Sequence, residues 1–265
     1  MNIEKAIIFI RNNGNEVEHA RLNYILANER PTEEVTADLF ANQRSDGGWP
    51  PFWANDYSSL DATCFRLAQA EQLGITEAET AVNRAVKFLI KRQSPDGSWE
   101  EDEKDADSAP PWAKPGELAA KLYLTANCGL WLALFGNPDT RVLKAADYLQ
   151  THLDQNGHLP SFLHAHWLAG GLWYKLNWQA STQIFDYLSM RIGDLSTSNL
   201  SWLITTMCAA GVPASHQLVD NAARLLEQSQ NADGYWESED GSNQNVHATL
   251  EALRALRLCR RWSLS

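Results

Sequence analysis

The stretch Leu39-x-x-x-Gln43-Arg44-Ser45-Asp46-Gly47-Gly48-Trp49 closes an amphipathic segment with a turn, and it recurs along the chain. Leu89-x-x-x-Gln93-Ser94-Pro95-Asp96-Gly97-Ser98-Trp99 and Leu226-x-x-x-Gln230-Asn231-Ala232-Asp233-Gly234-Tyr235-Trp236 repeat it at the same spacing. A worn copy, Leu149-x-x-x-Leu153-Asp154-Gln155-Asn156-Gly157-His158-Leu159, keeps the spacing and loses the Gln and the Trp. In each copy an Asp or Asn precedes a Gly, the residue that takes the positive φ at which a helix stops. A phrase that recurs at fixed internal spacing means a repeated supersecondary unit.

Hydrophobic periodicity divides the remaining chain into helix pairs. First helices are predicted at residues 2–13, 32–43, 78–93, 139–153, 178–191 and 214–230. Their partners are predicted at 16–28, 58–73, 117–135, 161–176, 197–211 and 246–260. Six hairpins occupy residues 1–265 as one domain, and no alternating β-branched segment suggests a sheet. Helix pairs can also stack as an open solenoid, which needs terminal repeats with polar outer faces. Ile3, Ile7, Ile8 and Ile10 open this chain, so closure is favoured. The expected fold class is all-α, an (α/α)6 toroid in which six helical hairpins form a closed barrel.

A second repeat lies near the start of the partner helices. Its triplets read His19-Ala20-Arg21, Asp61-Ala62-Thr63, Thr125-Ala126-Asn127, His164-Ala165-His166, Asn199-Leu200-Ser201 and His247-Ala248-Thr249. Polar residues around a small one are unusual in an otherwise apolar helix. If the partner helices form the inner barrel, these polar residues ring one mouth of its cavity.

Composition narrows the functional classes. A net charge of −11 without a cluster of Lys and Arg excludes nucleic-acid binding and a general attraction to acidic lipid. Cys64, Cys128, Cys208 and Cys259 are far apart in apolar helical stretches and read as buried thiols of a reducing compartment. The N-terminal apolar run is too short for a signal peptide, and no stretch approaches the roughly 20 apolar residues of a membrane span. The expectation is a cytoplasmic protein with no transmembrane segment, with peripheral membrane contact left open. The 11 Trp exceed what packing alone usually recruits.

The Gln-x-x-x-Gly-x-Trp phrase resembles the repeat of squalene and oxidosqualene cyclases and, more loosely, that of protein prenyltransferase β subunits. In those families the Gln and Trp tie a helix end to the next turn. The resemblance therefore implies the toroid fold and assigns Trp49, Trp99 and Trp236 to stability. Triterpene cyclases carry two toroid-like domains, and this chain resembles one catalytic-type domain standing alone.

Class II cyclases of these families begin by protonating an alkene or epoxide. Their motif is Asp-x-Asp-Asp-Thr, with the middle Asp as donor, or Asp-Cys-Thr-Ala, with the first Asp as donor. Here Ser59-Leu60-Asp61-Ala62-Thr63-Cys64 aligns Asp61 with the donor in both versions and departs from them at Ser59 and Ala62. A carboxylic acid near its ordinary pKa of about 4 is a poor donor to an isolated alkene. An imidazolium can stabilise the carboxylate as the proton leaves. His19 and His247 are expected to flank Asp61 on ring closure, with His164 opposite. The bland alternative is that Asp61 caps its own helix.

Aromatic faces stabilise carbocations without attacking them. Tyr57, Phe65, Trp131, Trp167 and Trp202 are the candidate substrate-binding residues, with Phe52, Trp53 and Trp112 on the loops above; ordinary packing between helices is the competing explanation. The acidic run Glu100–Asp107 could hold Mg2+ for a diphosphate substrate, although such a run is more often a solvated loop. Arg21, Lys114, Arg66 and Lys121 are candidate diphosphate contacts; no other cofactor is implied. Three readings stay open at this point. One is a class II terpene cyclase-like enzyme, an isomerase or lyase acting on a hydrophobic isoprenoid. Another is a non-catalytic toroid binding a hydrophobic ligand or a partner protein. The third is a metal-dependent enzyme using His247, His19 and Asp61, whose backbones would lie about 9 Å apart on neighbouring helices. Protein prenylation with zinc is disfavoured because no Asp-x-Cys accompanies His247.

Overall fold

A computed structural model describes residues 1–103, 107–136 and 139–263. Among the described residues it is all-helical, with one isolated β-bridge between Trp49 and Ser59. The α-helices are α1 (Ile3–Asn13), α2 (Glu16–Ala27), α3 (Glu33–Leu39), α4 (Leu60–Gln72), α5 (Thr80–Arg92), α6 (Leu118–Phe135), α7 (Thr140–Gln150), α8 (Leu163–Lys175), α9 (Ala180–Arg191), α10 (Thr197–Ala210), α11 (Gln217–Gln228) and α12 (Asn245–Leu258). Each lies within its predicted span, except that α12 begins one residue early. Periodicity was sufficient because each helix must bury an apolar stripe.

The helices form two compact units, one made of residues 39–71 and 75–187, the other of residues 1–38, 72–74 and 188 onwards. In the first unit α6 packs on α5, α7 and α8 and is apolar on all sides. By length and composition it is the one described helix long and apolar enough to cross a membrane. Some 78% of it is buried within the protein, as befits a core helix.

The repeats do the same work in both units. Gln43 Nε2 donates to Gly47 O at 2.9 Å and to Ala81 O at 2.8 Å, joining its own turn to α5. Gln93 reaches Gly97 O at 3.0 Å and Arg141 O at 2.9 Å, joining its turn to α7. The indoles of Trp49, Trp99 and Trp236 are buried and donate to Ala41 O, Leu89 O and Leu226 O, the carbonyls orphaned at helix ends. Gly97 has φ +94°, and a Cβ there would lie 2.4 Å from Lys144 O, so no other residue fits this turn. The worn copy keeps the turn, since Asp154 N donates to His158 O as Ser94 N does to Ser98 O.

In the second unit the last hairpin is tied to the first. Asn2 N donates to Gln230 Oε1 at 2.7 Å, Gln230 Nε2 returns to Asn2 O at 3.0 Å, and Lys5 Nζ reaches Ala232 O at 2.9 Å. Phe9 stacks on Tyr235 with centroids 4.4 Å apart, and α12 packs against both α1 and α2. An open solenoid has no such join between its ends, and that alternative falls.

Candidate active site

The head of α4 is built from three parts of the sequence. Asp61 lies in its first turn, and both carboxyl oxygens accept hydrogen bonds from outside the helix: Oδ1 from Tyr123 Oη at 2.8 Å and Oδ2 from Trp112 Nε1 at 3.2 Å. Tyr123 stands on α6, and Trp112 on the short 3-10 turn Pro111–Ala113. Asn127, one turn further along α6, donates from Nδ2 to Tyr123 Oη at 3.3 Å. Burial raises the pKa of Asp61, while the bonds from Tyr123 and Trp112 work against the rise and do not cancel it. Burial and the neighbouring Asp61 push the Tyr123 phenol well above its ordinary value, so it acts as a donor that keeps its proton.

Asp61 is not the cap of its helix. The amides of Leu60 and Asp61 donate to Glu101 Oε1 at 2.8 and 3.3 Å, and the Ser59 hydroxyl donates to the same oxygen at 2.6 Å. Glu101 belongs to the acidic run read as a solvated loop, yet it is buried, and burial pushes its pKa up to about 7. Within the same run, Lys104, Asp105 and Ala106 lie outside the described residues.

The backbone corrects the register of the polar triplets. Thr63 Oγ1 accepts from Trp49 N at 3.2 Å, Thr249 Oγ1 from Trp236 N at 3.1 Å, and His166 Nε2 from Leu159 N at 3.1 Å. On α6 the same role falls to Thr125, which accepts from Trp99 N at 3.0 Å. Its triplet is therefore Tyr123-Leu124-Thr125, two residues earlier than the pattern of polar and small residues suggests. Tyr123, Asp61, His164 and His247 are thus equivalent positions. Tyr123 is not evident in the sequence because Thr125-Ala126-Asn127 fits the polar–small–polar pattern better than Tyr123-Leu124-Thr125. The threonine facing a repeat Trp was the signal that could have found it.

In the first unit, then, Asp61 and His164 stand on either side of Tyr123, with the His164 and Tyr123 rings 6.3 Å apart and close to perpendicular. In the second unit His247 Nδ1 accepts from the Arg21 guanidinium at 3.1 Å, and its Nε2 lies 4.0 Å from Glu251 Oε1. Arg21 also forms a buried ion pair with Glu251. Burial and the Arg21 charge outweigh the pull of Glu251 and lower the pKa of His247. A ring nitrogen that accepts from a guanidinium carries no proton, so the expected imidazolium at His247 gives way to a neutral ring. His19 Nε2 meets Arg11 O at 3.2 Å.

The aromatic candidates differ in what they present. Phe65 is 51% exposed and Trp202 partly exposed, while Tyr57 and Trp131 are buried. Tyr57 accepts from Trp53 Nε1 at 2.7 Å, and Trp131 stacks on Phe135. Trp167 is fully enclosed, edge-on to His164 with ring centroids 5.0 Å apart. Among the described residues no three His, Cys, Asp or Glu side chains gather as metal ligands. The four cysteines are free thiols, Cys64, Cys128 and Cys259 buried as expected and Cys208 partly exposed, and Cys64 and Cys128 meet with sulfurs 3.7 Å apart.

No family model matches the chain. Among curated proteins it is similar to squalene–hopene cyclase of Bradyrhizobium diazoefficiens, 25% identical over an alignment of 242 residues that covers 84% of this chain and 31% of that protein. It is also similar to squalene–hopene cyclase of Zymomonas mobilis, 21% identical over an alignment of 215 residues that covers 74% of this chain and 28% of that one. The chain thus spans less than a third of the length of the curated relatives it matches. Among solved structures it resembles the type II terpene cyclase MstE from Scytonema in complex with its substrate geranylgeranyl dihydroxybenzoate, with a TM-score of 0.62, 14% identity, and coverage of 98% of this chain and 96% of that one. A form of MstE holding the product merosterolic acid A gives a TM-score of 0.61 and 15% identity, covering 97% and 95%. A protein from Actinoplanes gives 0.59 and 17%, covering 92% and 90%. The fold is therefore the α/α toroid of terpene cyclases.

Proposed function

We propose that this chain catalyses a class II, proton-initiated cyclisation of an isoprenoid, with Asp61 as the acid. The observation that carries the reading is the state of the Asp61 carboxyl: freed from capping by Glu101, pushed by burial towards its protonated form, and given two fixed donors by Tyr123 and Trp112. Each carboxyl oxygen keeps a lone pair beyond the one its donor occupies, and the acidic proton sits on one of these. Transfer to the CH carbon of the terminal (CH3)2C=CH unit breaks that O–H bond and forms a C–H bond. It leaves a tertiary cation on the substrate and a carboxylate on Asp61. The Tyr123 and Trp112 donors strengthen as the negative charge develops, which is where pre-set dipoles lower a barrier. The half-exposed Phe65, one turn along α4 from Asp61, offers an aromatic face to a cation. His164, edge-on to Tyr123, supports the network in place of the imidazolium first expected.

Support for an isoprenoid substrate comes from the likeness to MstE, which matches this chain over nearly its whole length and was seen with a geranylgeranyl compound. The test is incubation with C10 to C30 prenyl diphosphates, squalene, epoxysqualene and geranylgeranyl dihydroxybenzoate, followed by mass spectrometry. Asp61→Asn is expected to lower product formation by about 10²–10⁴-fold, the usual worth of a general acid, with an unchanged circular dichroism spectrum. Normal turnover by the Asn variant would overturn the mechanism. A bound lipid recovered from the protein, with no product from any substrate, would point instead to the non-catalytic binding reading.

A further inference from the structure

The first turn of α4 already has an ordinary cap in Ser59, whose Oγ accepts from Ala62 N at 3.2 Å. Here a carboxyl 4% exposed is brought in from the connection between α5 and α6, and its Oε1 accepts three bonds from Ser59, Leu60 and Asp61. Its other oxygen, Oε2, is buried with no hydrogen-bond partner among the described residues. A buried acceptor left unpaired is destabilising and calls for a reason beyond stability. The same connection delivers Trp112, one of the two donors to Asp61. It is pinned beyond Trp112 by the Gly116 amide on Glu100 Oε1, and Glu100 pairs with Lys121 at 3.5 Å. The acceptor of the Asp61 amide and a donor to the Asp61 carboxyl therefore both come from the connection between α5 and α6.

We propose that Glu101 is the positioning residue of the acid: by holding the first turn of α4 from the α5–α6 connection, it fixes the direction in which the Asp61 carboxyl meets Trp112 and Tyr123. Glu101 acts through Asp61 and touches no reacting atom. The carboxyl absent from position 59 is restored beside Ser59 by a residue 42 positions further on. This role deepens the reading of Asp61 as the acid, but the geometry can be tested without turnover.

The readout is the indole N–H resonance of Trp112 in 15N-labelled protein, assigned with Trp112→Phe. Asp61→Asn marks where that resonance moves when its acceptor changes. Glu101→Ala is expected to move it similarly, and Glu101→Gln, whose amide oxygen can accept the same three bonds, to leave it near its native position. Glu101→Asp keeps the charge but withdraws the oxygen by one methylene. It is expected to move the resonance too, and it serves if Glu101→Ala does not fold. With a substrate in hand, Glu101→Ala is expected to lower kcat by about 10–100-fold with KM little changed, the pattern of a misplaced group, and Glu101→Gln to recover most of it. A folded Glu101→Ala or Glu101→Asp protein with the native resonance overturns the proposal. Absence of turnover by every form sinks the cyclase reading instead, and the resonance still decides the role of Glu101.

Discussion

Asp61 draws its character from neighbours that the sequence scatters as far as 62 residues away. Burial raises the pKa of its carboxyl, and the hydrogen bonds from Tyr123 and Trp112 oppose that rise. Glu101 gives the site a pH signature in stability. Its pKa rises from an ordinary 4.5 to about 7 on folding, so the folded protein binds this proton more tightly than the unfolded chain. The associated stability is fully present below about pH 4.5 and is lost as pH rises through about 7. At most this amounts to about 3 kcal/mol, at 1.36 kcal/mol per pKa unit. Glu101→Gln does not titrate, so its stability relative to the native protein is expected to rise from pH 5 to pH 8. Urea unfolding midpoints at the two pH values check this, and parallel midpoints would remove the buried-acid account.

At the scale of elements, the repeat turn is where helix ends and neighbouring hairpins meet. Gly97 needs both its positive φ and its missing Cβ, because Lys144 O would lie 2.4 Å away; Gly211, at the same φ of +94°, has open space around it. Gly211→Ala is expected to cost about 1 kcal/mol, the backbone term alone. Gly97→Ala should cost at least about 2 kcal/mol more, because backbone must shift to admit the methyl group. Thermal unfolding of the two variants separates the effects, and equal losses would show that the turn yields freely. Helix positions were legible in the sequence because a 3.6-residue period is a local property. The register of the polar triplets was not, since Thr125 is recognised only by the Trp99 amide it accepts from, 26 residues away.

At the scale of the whole molecule, the tie between Gln230 and Asn2 joins the last hairpin to the first across 228 residues. Gln230→Ala removes both of its bonds to Asn2 and is expected to destabilise the protein by about 1–2 kcal/mol, the net worth of one or two partly exposed hydrogen bonds. Hydrogen exchange is expected to quicken in α1 as well as in α11. Gln43→Ala should quicken it near α5 and spare α1. Exchange in α1 that is indifferent to Gln230 would mean that the apolar contacts of Phe9 and α12 carry the join alone.

The sequence by itself determined the helices, their pairing, the turn that ends each repeat, and the candidacy of Asp61. These follow from local spacing and from residue chemistry that acts over a few positions. Only the tertiary structure decided what surrounds that carboxyl. It gave the amides of Leu60 and Asp61 to Glu101, the carboxyl's donors to Tyr123 and Trp112, and a neutral ring to His247 beside Arg21. The acidity of a buried group depends on desolvation and on the partners within about 4 Å, and packing chooses those partners from distant parts of the chain.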